Sequence, residues 1–374
     1  MNLSLALADR GLIPDAALRF GIRRLLRQRL REQALRWGNG NQHAYSQAME
    51  SWLESMRGGP VAPLPDKANE QHYEIPPAFF RLALGSHLKY SSALYADPSV
   101  APSAAEPLQD AEQRMLATTA LRARLENGQQ ILELGCGWGS LTLWMAEHFP
   151  AARITAVSNS APQRQHIESE LRTRGLANVR VLTCDMNELA GDDSFPQDGF
   201  DRVISVEMFE HMRNWELLLD RIHGWLQPEG LFFAHVFAHK SYAYPFEIRS
   251  SSDWMSRYFF SGGIMPSSDL FERLEIPFES VERWDVDGRH YALTAEAWLA
   301  NLDNHREAVF QALEPVYGSK TSTWIRRWRI FFLSCAELFG YADGSEWLVS
   351  HNLLRSAAKP APLQPQTPAH EQFA

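Results

Sequence analysis

The sequence predicts an α/β fold, a doubly wound and mainly parallel sheet with a helical N-terminal segment and an aromatic insertion, and three observations point to it. A short strand-like run at 130–134 leads into Gly135, Gly137 and Gly139 and then into a helical run at 141–149. Further apolar runs at 153–157, 179–183, 201–206 and 231–237 follow, with a helical stretch at 162–174 between the first two. The chain has 374 residues, 45% hydrophobic and 22% charged, which is the composition of a folded globular protein and not of a disordered or collagen-like one.

The elements follow in order. At 18–37, Ile22, Leu25, Leu26, Leu30 and Trp37 recur at helical spacing with arginines between them, so this is a basic amphipathic helix. Such a helix can lie on an anionic membrane, but an ordinary domain helix with a solvated arginine face is the favoured reading. Proline and glycine cluster at 58–65 and mark a turn, which divides a helical segment, 1–66, from the main domain, 67–355. After the five strands the rhythm breaks over 239–277, so an insertion at 238–280 is expected to cover the sheet as a lid. A strand at 282–286, two helical stretches and a strand at 347–354 then close it. Residues 356–374 lack apolar periodicity, are rich in Pro and Ala, and are expected to be disordered. No internal repeat is present.

Charge and cysteines narrow the function classes. Thirty-six Lys and Arg stand against 45 Asp and Glu, a net charge of −9, which offers no general basic field for a nucleic acid. The charge is uneven: residues 18–37 hold seven arginines and one glutamate, a local +6, so the remainder carries −15. Cys136, Cys184 and Cys335 are far apart, which excludes a Cys-x-x-Cys motif and fits a reducing cytoplasm. The first twenty residues carry Asp9, Arg10 and Asp15 and read poorly as a signal peptide. No apolar run approaches the roughly 20 residues that span a bilayer, so any membrane contact is peripheral.

The glycine loop reads Gly-x-Gly-x-Gly, not the G-x-G-x-x-G of dinucleotide enzymes. At the end of the second strand, where such enzymes place an acid for a ribose, stand Ser158, Asn159 and Ser160, which argues against a nicotinamide cofactor. S-adenosylmethionine suits the loop better. It has no pyrophosphate, its carboxypropyl chain can lie against the glycines, and Glu133 can engage its ammonium group. Asp185, followed by Met186 after the third strand, can accept a hydrogen bond from an adenine amino group; alone, it would read as a turn or cap residue. No metal site is expected.

The fourth strand runs into Glu207, Glu210 and His211. The two glutamates are three residues apart, so on a helix they would share a side, with His211 beside them. Ligands of open α/β sheets sit at these carboxyl ends. Methyl transfer to an amine needs a neutral nitrogen, and a carboxylate or imidazole that takes the proton would serve it; helix-cap and surface charges are the plain alternative. Aromatic residues crowd 241–262, and Trp324, Trp328, Phe331 and Phe332 come later. They suit an aromatic or cationic ligand, although stripes at helical spacing are more often core.

The blocks HYEIPPAFFRLALGSHLKYSSALY, ILELGCGWGSLTLW, SVEMFEHMRNWELLL, WMSRYFFSGGIMPSSDLF, GRHYALTAEAW and WRIFFLSCAELFGYADGSEW resemble the coclaurine N-methyltransferases and their bacterial relatives, within the cyclopropane-fatty-acid synthase group. The resemblance spans about 72–351 and implies a class I, Rossmann-like methyltransferase that uses S-adenosylmethionine. It implies that Tyr90 and Ser91 approach the cofactor, that Gly135 and Gly137 line it, and that Gln163 and Asp185 serve the ribose and the adenine. Ser158, Asn159 and Met186 join that set. It places the acid and base on Glu207, Glu210 and His211, and substrate contacts on Trp328 and Phe331, with His235, Phe237 and Tyr258 alongside. Glu74 and the prolines after it follow the N-methyltransferase style, whereas the lipid branch reads HYDxGN. Ser92 stands where that branch has a cysteine beside its bicarbonate base, although Glu210 and His235 match other bicarbonate contacts. The expected reaction is N-methylation of a small aromatic or apolar amine in the cytoplasm, with a homodimer as the expected assembly. Methylation or cyclopropanation of unsaturated lipid acyl chains, with the arginine helix facing the membrane, is the alternative, and a non-catalytic ligand-binding protein is a third.

Overall fold

The computed structural model describes residues 7–64, 75–190, 195–249 and 253–357. Apolar runs that are buried on both faces become the centre of a parallel sheet. These are β1 (Gln130–Leu134), β2 (Arg153–Ser158), β4 (Phe200–Val206) and β5 (Leu226–His239), with the partly exposed β3 (Val179–Thr183) at the edge beside β2. With β8 (Phe278–Val286) and β9 (Trp347–Ser356) they form a seven-stranded sheet in the order β3-β2-β1-β4-β5-β9-β8. β1 to β5 pair in parallel, and β9 is antiparallel to both neighbours. β6 (Tyr244–Pro245) and β7 (Ile264–Met265) make a separate two-stranded piece. The strand order reverses between β1 and β4, so the loops that leave them diverge and open a crevice.

Local chemistry sets the helix ends around that crevice. α5 (Ser140–His148) begins at Gly139 in left-handed conformation. α6 (Ala161–Arg174) is capped by the Ser160 hydroxyl, which accepts from the Gln163 N–H, and ends at left-handed Gly175. α3 (Pro77–Ala83) and α4 (Leu108–Arg122) precede β1, α7 (Trp215–Trp225) follows β4 with Asn214 as its cap, and α8 (Trp254–Tyr258) lies in the insertion.

Three helices, not two, lie between β8 and β9: α9 (Gly288–Asn304), α10 (Arg306–Tyr317) and α11 (Thr321–Phe339). His305 leaves helical geometry at φ −106°, and Gly318 at φ +51° stops the chain after Pro315, which splits the continuous amphipathic pattern. Ser356 pairs with Phe278 as the last residue of β9, so the strand takes in the first residue of the expected tail. Residues 358–374, where the disorder was expected, lie outside the described residues.

The N-terminal α1 (Asp15–Arg36) and α2 (Gln42–Arg57) pack on this body. Leu18, Ile22, Leu26 and Leu30 of α1 lie against the largest apolar cluster, which α9 and α11 share. Its arginines find acids there: Arg19 pairs with Glu296 at 2.5 Å and Glu337 at 3.0 Å, Arg23 pairs with Glu337, and Arg29 pairs with Asp253 at 3.2 Å. Met49, Trp52 and Met56 of α2 join the cluster that contains Trp215 of α7.

Candidate active site

Two cavities adjoin at the carboxyl ends of β2, β3, β4 and β5, with His211 on the wall of both. The first is lined by Asn159, Asp185, Met186, Met208 and His211, with Ala62 and Leu64 from the N-terminal segment. The glycine loop beside it is left-handed at each glycine, at φ +80°, +53° and +82° for Gly135, Gly137 and Gly139. A Cβ on Gly135 would stand 2.8 Å from Met208 Cβ, and one on Gly139 2.7 Å from Ile167 Cγ1, whereas one on Gly137 meets nothing within 4 Å. Two glycines therefore serve packing, and Gly137 offers bare backbone to open space.

The Ser158 hydroxyl donates to Gln163 Oε1 at 2.6 Å, and Gln163 Nε2 is left buried without a hydrogen-bond partner. A buried orphan donor costs about 1–3 kcal/mol, a cost that an arriving ligand oxygen removes. Asp185 lies on the cavity wall while its Oδ1 accepts from the Asn187 N–H at 2.8 Å, so the turn role and the exposed oxygen coexist. Glu133 is buried beneath the loop and accepts from the Thr142 hydroxyl at 2.5 Å; burial pushes its carboxyl up to about 8. Ser91 is buried and accepts from the Lys89 ammonium, and Tyr90 reaches the second cavity. Open backbone, an orphan amide and a wall aspartate fit a nucleoside with an amino-acid chain, which is the shape of S-adenosylmethionine.

The second cavity is lined mainly by apolar and aromatic side chains, the usual character of a small-molecule site. The 239–277 insertion supplies Phe246, Met255, Phe260 and Met265, α9 supplies Tyr291 and Trp298, and α11 supplies Phe331, Cys335, Leu338 and Phe339. Glu207 is the acid on this wall. It directly follows β4 at φ +49°, a left-handed position that is uncommon outside glycine and worth reading as functional strain. Its Oε1 accepts from the Ser92 N–H at 2.9 Å and faces His235 Nε2 at 3.1 Å; its Oε2 accepts from the Tyr291 hydroxyl at 2.7 Å.

The expectation that Glu207 and Glu210 share one helical side is replaced by a different geometry. After the left-handed residue the chain makes only a short 3₁₀ turn, Phe209–His211. This turn buries Glu210, whose Oε1 accepts from the Phe237 N–H at 2.6 Å and whose Oε2 has no partner. Burial raises both carboxyls, and the neighbouring Glu207 raises Glu210 further. At Glu207 the Lys89 ammonium, the Tyr291 hydroxyl and the Ser92 N–H oppose that rise. The pair therefore keeps its negative charge on Glu207 and its proton on Glu210. His211 lies beside Phe260, with ring centroids 4.5 Å apart.

The other expected substrate residues separate. Phe237 and Phe331 are on the cavity wall. His235 is fully buried behind Glu207. Trp328 is fully buried against Phe79 and Phe259, and Tyr258 lies under the Arg327 guanidinium, 4.0 Å from its ring centroid, so neither lines the cavity. Residue reasoning missed Tyr291 and Lys89. Both lie inside blocks already singled out, GRHYALTAEAW and LKYSS, but only the tertiary fold brings them to Glu207.

The sequence profile described as mycolic acid cyclopropane synthetase matches residues 65–345. The (S)-coclaurine N-methyltransferase of Thalictrum flavum subsp. glaucum is 35% identical over 351 residues, covering 92% of this chain and 93% of that protein. The cyclopropane-fatty-acyl-phospholipid synthase of Escherichia coli strain K12 is 28% identical over 283 residues, covering 75% of this chain and 66% of that one. Among solved structures, coclaurine N-methyltransferase bound to N-methylheliamine and SAH superposes with a TM-score of 0.86 at 33% identity, over 94% of this chain and 98% of that chain. A cyclopropane synthase of Mycobacterium tuberculosis shares the fold, with a TM-score of 0.63 at 20% identity, over 79% of this chain and 99% of that chain.

Proposed function

We propose that this chain, which belongs to the mycolic acid cyclopropane synthetase family, acts as an N-methyltransferase on a small amine with an aromatic or apolar body. It is an S-adenosylmethionine-dependent methyltransferase, as its N-methyltransferase relatives are. The observation that carries the acceptor assignment is a single carboxylate, Glu207, set in the wall of an otherwise largely apolar and aromatic cavity that adjoins the cofactor cavity at His211. A buried negative charge among aromatic faces selects an ammonium group and accommodates the carbon frame around it.

S-adenosylmethionine supplies a methyl group that is already electrophilic on its sulfonium. The glycine loop, Gln163, Asp185, Asn159 and Met186 hold it, with Tyr90 and Ser91 closing the side toward the acceptor. Glu207 binds the incoming ammonium and orients its nitrogen. The proton leaves the nitrogen for Glu207 or His211, the freed lone pair forms the N–C bond as the methyl's bond to sulfur breaks, and S-adenosylhomocysteine departs with the sulfur lone pair. Glu210, protonated below the site, supports the charge on its neighbour without competing for the cation.

Lipid acyl chains are the second acceptor class, because family membership and the Escherichia coli relative both favour it. Two features weigh against it. The cavity wall holds a carboxylate, and three arginines of α1 are committed to Glu296, Glu337 and Asp253. Among the described residues no helix is long and apolar enough to cross a membrane. Cys136, Cys184 and Cys335 are not joined in disulfides, which supports a cytoplasmic setting. The test is methyl-labelled S-adenosylmethionine with a panel of arylalkylamines, tetrahydroisoquinolines and phospholipid vesicles. Label in an amine product supports the reading; label in lipid alone overturns it.

A further inference from the structure

Behind the acceptor cavity a line of hydrogen bonds crosses the sheet. Arg122, at the end of α4, is half-buried, with its guanidinium 4.8 Å from the Trp284 ring centroid. Its Nη1 stands 2.7 Å from His351 Nδ1. His351 Nε2 is 2.9 Å from His235 Nδ1, and His235 Nε2 is 3.1 Å from Glu207 Oε1. The two histidines are register partners on β9 and β5, and both are fully buried.

The chemistry of the outer end gives this line one direction. A guanidinium only donates, so His351 Nδ1 accepts and the ring carries its proton on Nε2. That N–H donates to His235 Nδ1, which leaves the His235 proton on Nε2, aimed at Glu207. Burial and the nearby cations hold both imidazoles well below their ordinary range, so each is neutral at pH 7 and has a single proton to place. With no acceptor at the Arg122 end, the line cannot drain a proton from the site. It delivers a hydrogen bond to one carboxylate edge and connects a fixed positive charge to it through two oriented dipoles.

We infer that Arg122 and His351 are positioning residues for methyl transfer, which act through His235 to keep Glu207 ionised and its Oε1 edge fixed toward the acceptor nitrogen. This rests on the amine reading of the cavity. Other groups face Glu207 as well: the Lys89 ammonium, the Ser92 N–H, the Tyr291 hydroxyl, the Glu210 carboxyl and the Cys335 thiol. Lys89 also acts on both histidines, and Glu282 acts on Arg122. None of these sets the tautomers of the histidine pair, which is the distinct contribution of Arg122.

Two measurements test it. In the wild-type protein, nitrogen-15 spectra of the histidine rings should show Nε2–H tautomers at His235 and His351; an Nδ1–H tautomer at either overturns the inference, whatever the acceptor is. The second is the pH profile of kcat/KM with 1,2,3,4-tetrahydroisoquinoline, in which the substrate's own ionisation cancels between variants. In Arg122→Met, removal of the charge makes Glu207 harder to ionise. The acid limb should therefore move up by about one pH unit, with about a tenfold loss on the acid side of the limb that narrows as pH rises, and Arg122→Lys should return the limb toward wild type. His351→Phe should move it in the same direction as Arg122→Met. An unmoved acid limb in Arg122→Met overturns the inference. Failure of the whole amine panel overturns the amine reading instead, and the tautomers then decide the histidine line.

Discussion

At the scale of single residues, the account turns on Glu207. Its left-handed φ, its three donors and its neighbour Glu210 all follow from the way β4 ends, and together they leave one stable carboxylate in an apolar wall. Glu207→Gln keeps the shape and removes the charge; kcat for amine methylation should fall by about 100-fold or more, the range for loss of a positioned acid–base group, while calorimetry finds the affinity for S-adenosylhomocysteine unchanged. Gln163→Ala should do the reverse. It deletes a buried amide donor that has no protein partner, so that affinity should fall by about tenfold, roughly one hydrogen bond, with kcat at saturation nearly intact. The sequence revealed the EMFEH acids through their place after a strand. It did not reveal their partners, because Ser92 and Tyr291 lie 115 and 84 residues away and spacing carries no information about such contacts. Trp328 and Phe331 illustrate the same limit: both fit one aromatic pattern, yet only Phe331 is on the cavity wall.

At the scale of elements, α9 and α11 decide the shape of the acceptor cavity, and both were expected only as helical stretches closing the sheet. Their apolar faces are wide enough to serve the core and the cavity together, so periodicity alone could not separate the two uses. α9 is anchored at its first residue. A Cβ on Gly288 would stand 2.0 Å from the Trp347 carbonyl oxygen and 2.5 Å from that of Phe339. These are backbone atoms that cannot swing aside, so Gly288→Ala should lower stability by about 1–3 kcal/mol, the usual cost of overpacking, measured by thermal or urea unfolding. Because α9 carries Tyr291 and Trp298, turnover should drop with it. α1 shows where a charge pattern misleads by itself. The local +6 of residues 18–37 reads as a solvated face, with a membrane face as the alternative, whereas Arg19, Arg23 and Arg29 reach acids more than 200 residues away in sequence.

At the scale of the whole molecule, the alternation of strand and helix was legible because parallel strands buried on both faces leave near-continuous apolar runs. The reversal between β1 and β4 then places the glycine loop, Asp185 and Glu207 around one crevice. What remained hidden was the closure of that crevice by segments from opposite ends of the chain, with Ala62 and Leu64 on one side and α11 on the other. The most direct measurement of the central claim gives the purified protein methyl-labelled S-adenosylmethionine in one vessel with equal concentrations of a tetrahydroisoquinoline and an unsaturated phospholipid dispersed in vesicles. The account predicts label almost wholly in the N-methylated amine and lost in Glu207→Gln; label recovered in the acyl chains, with the amine untouched, would contradict it.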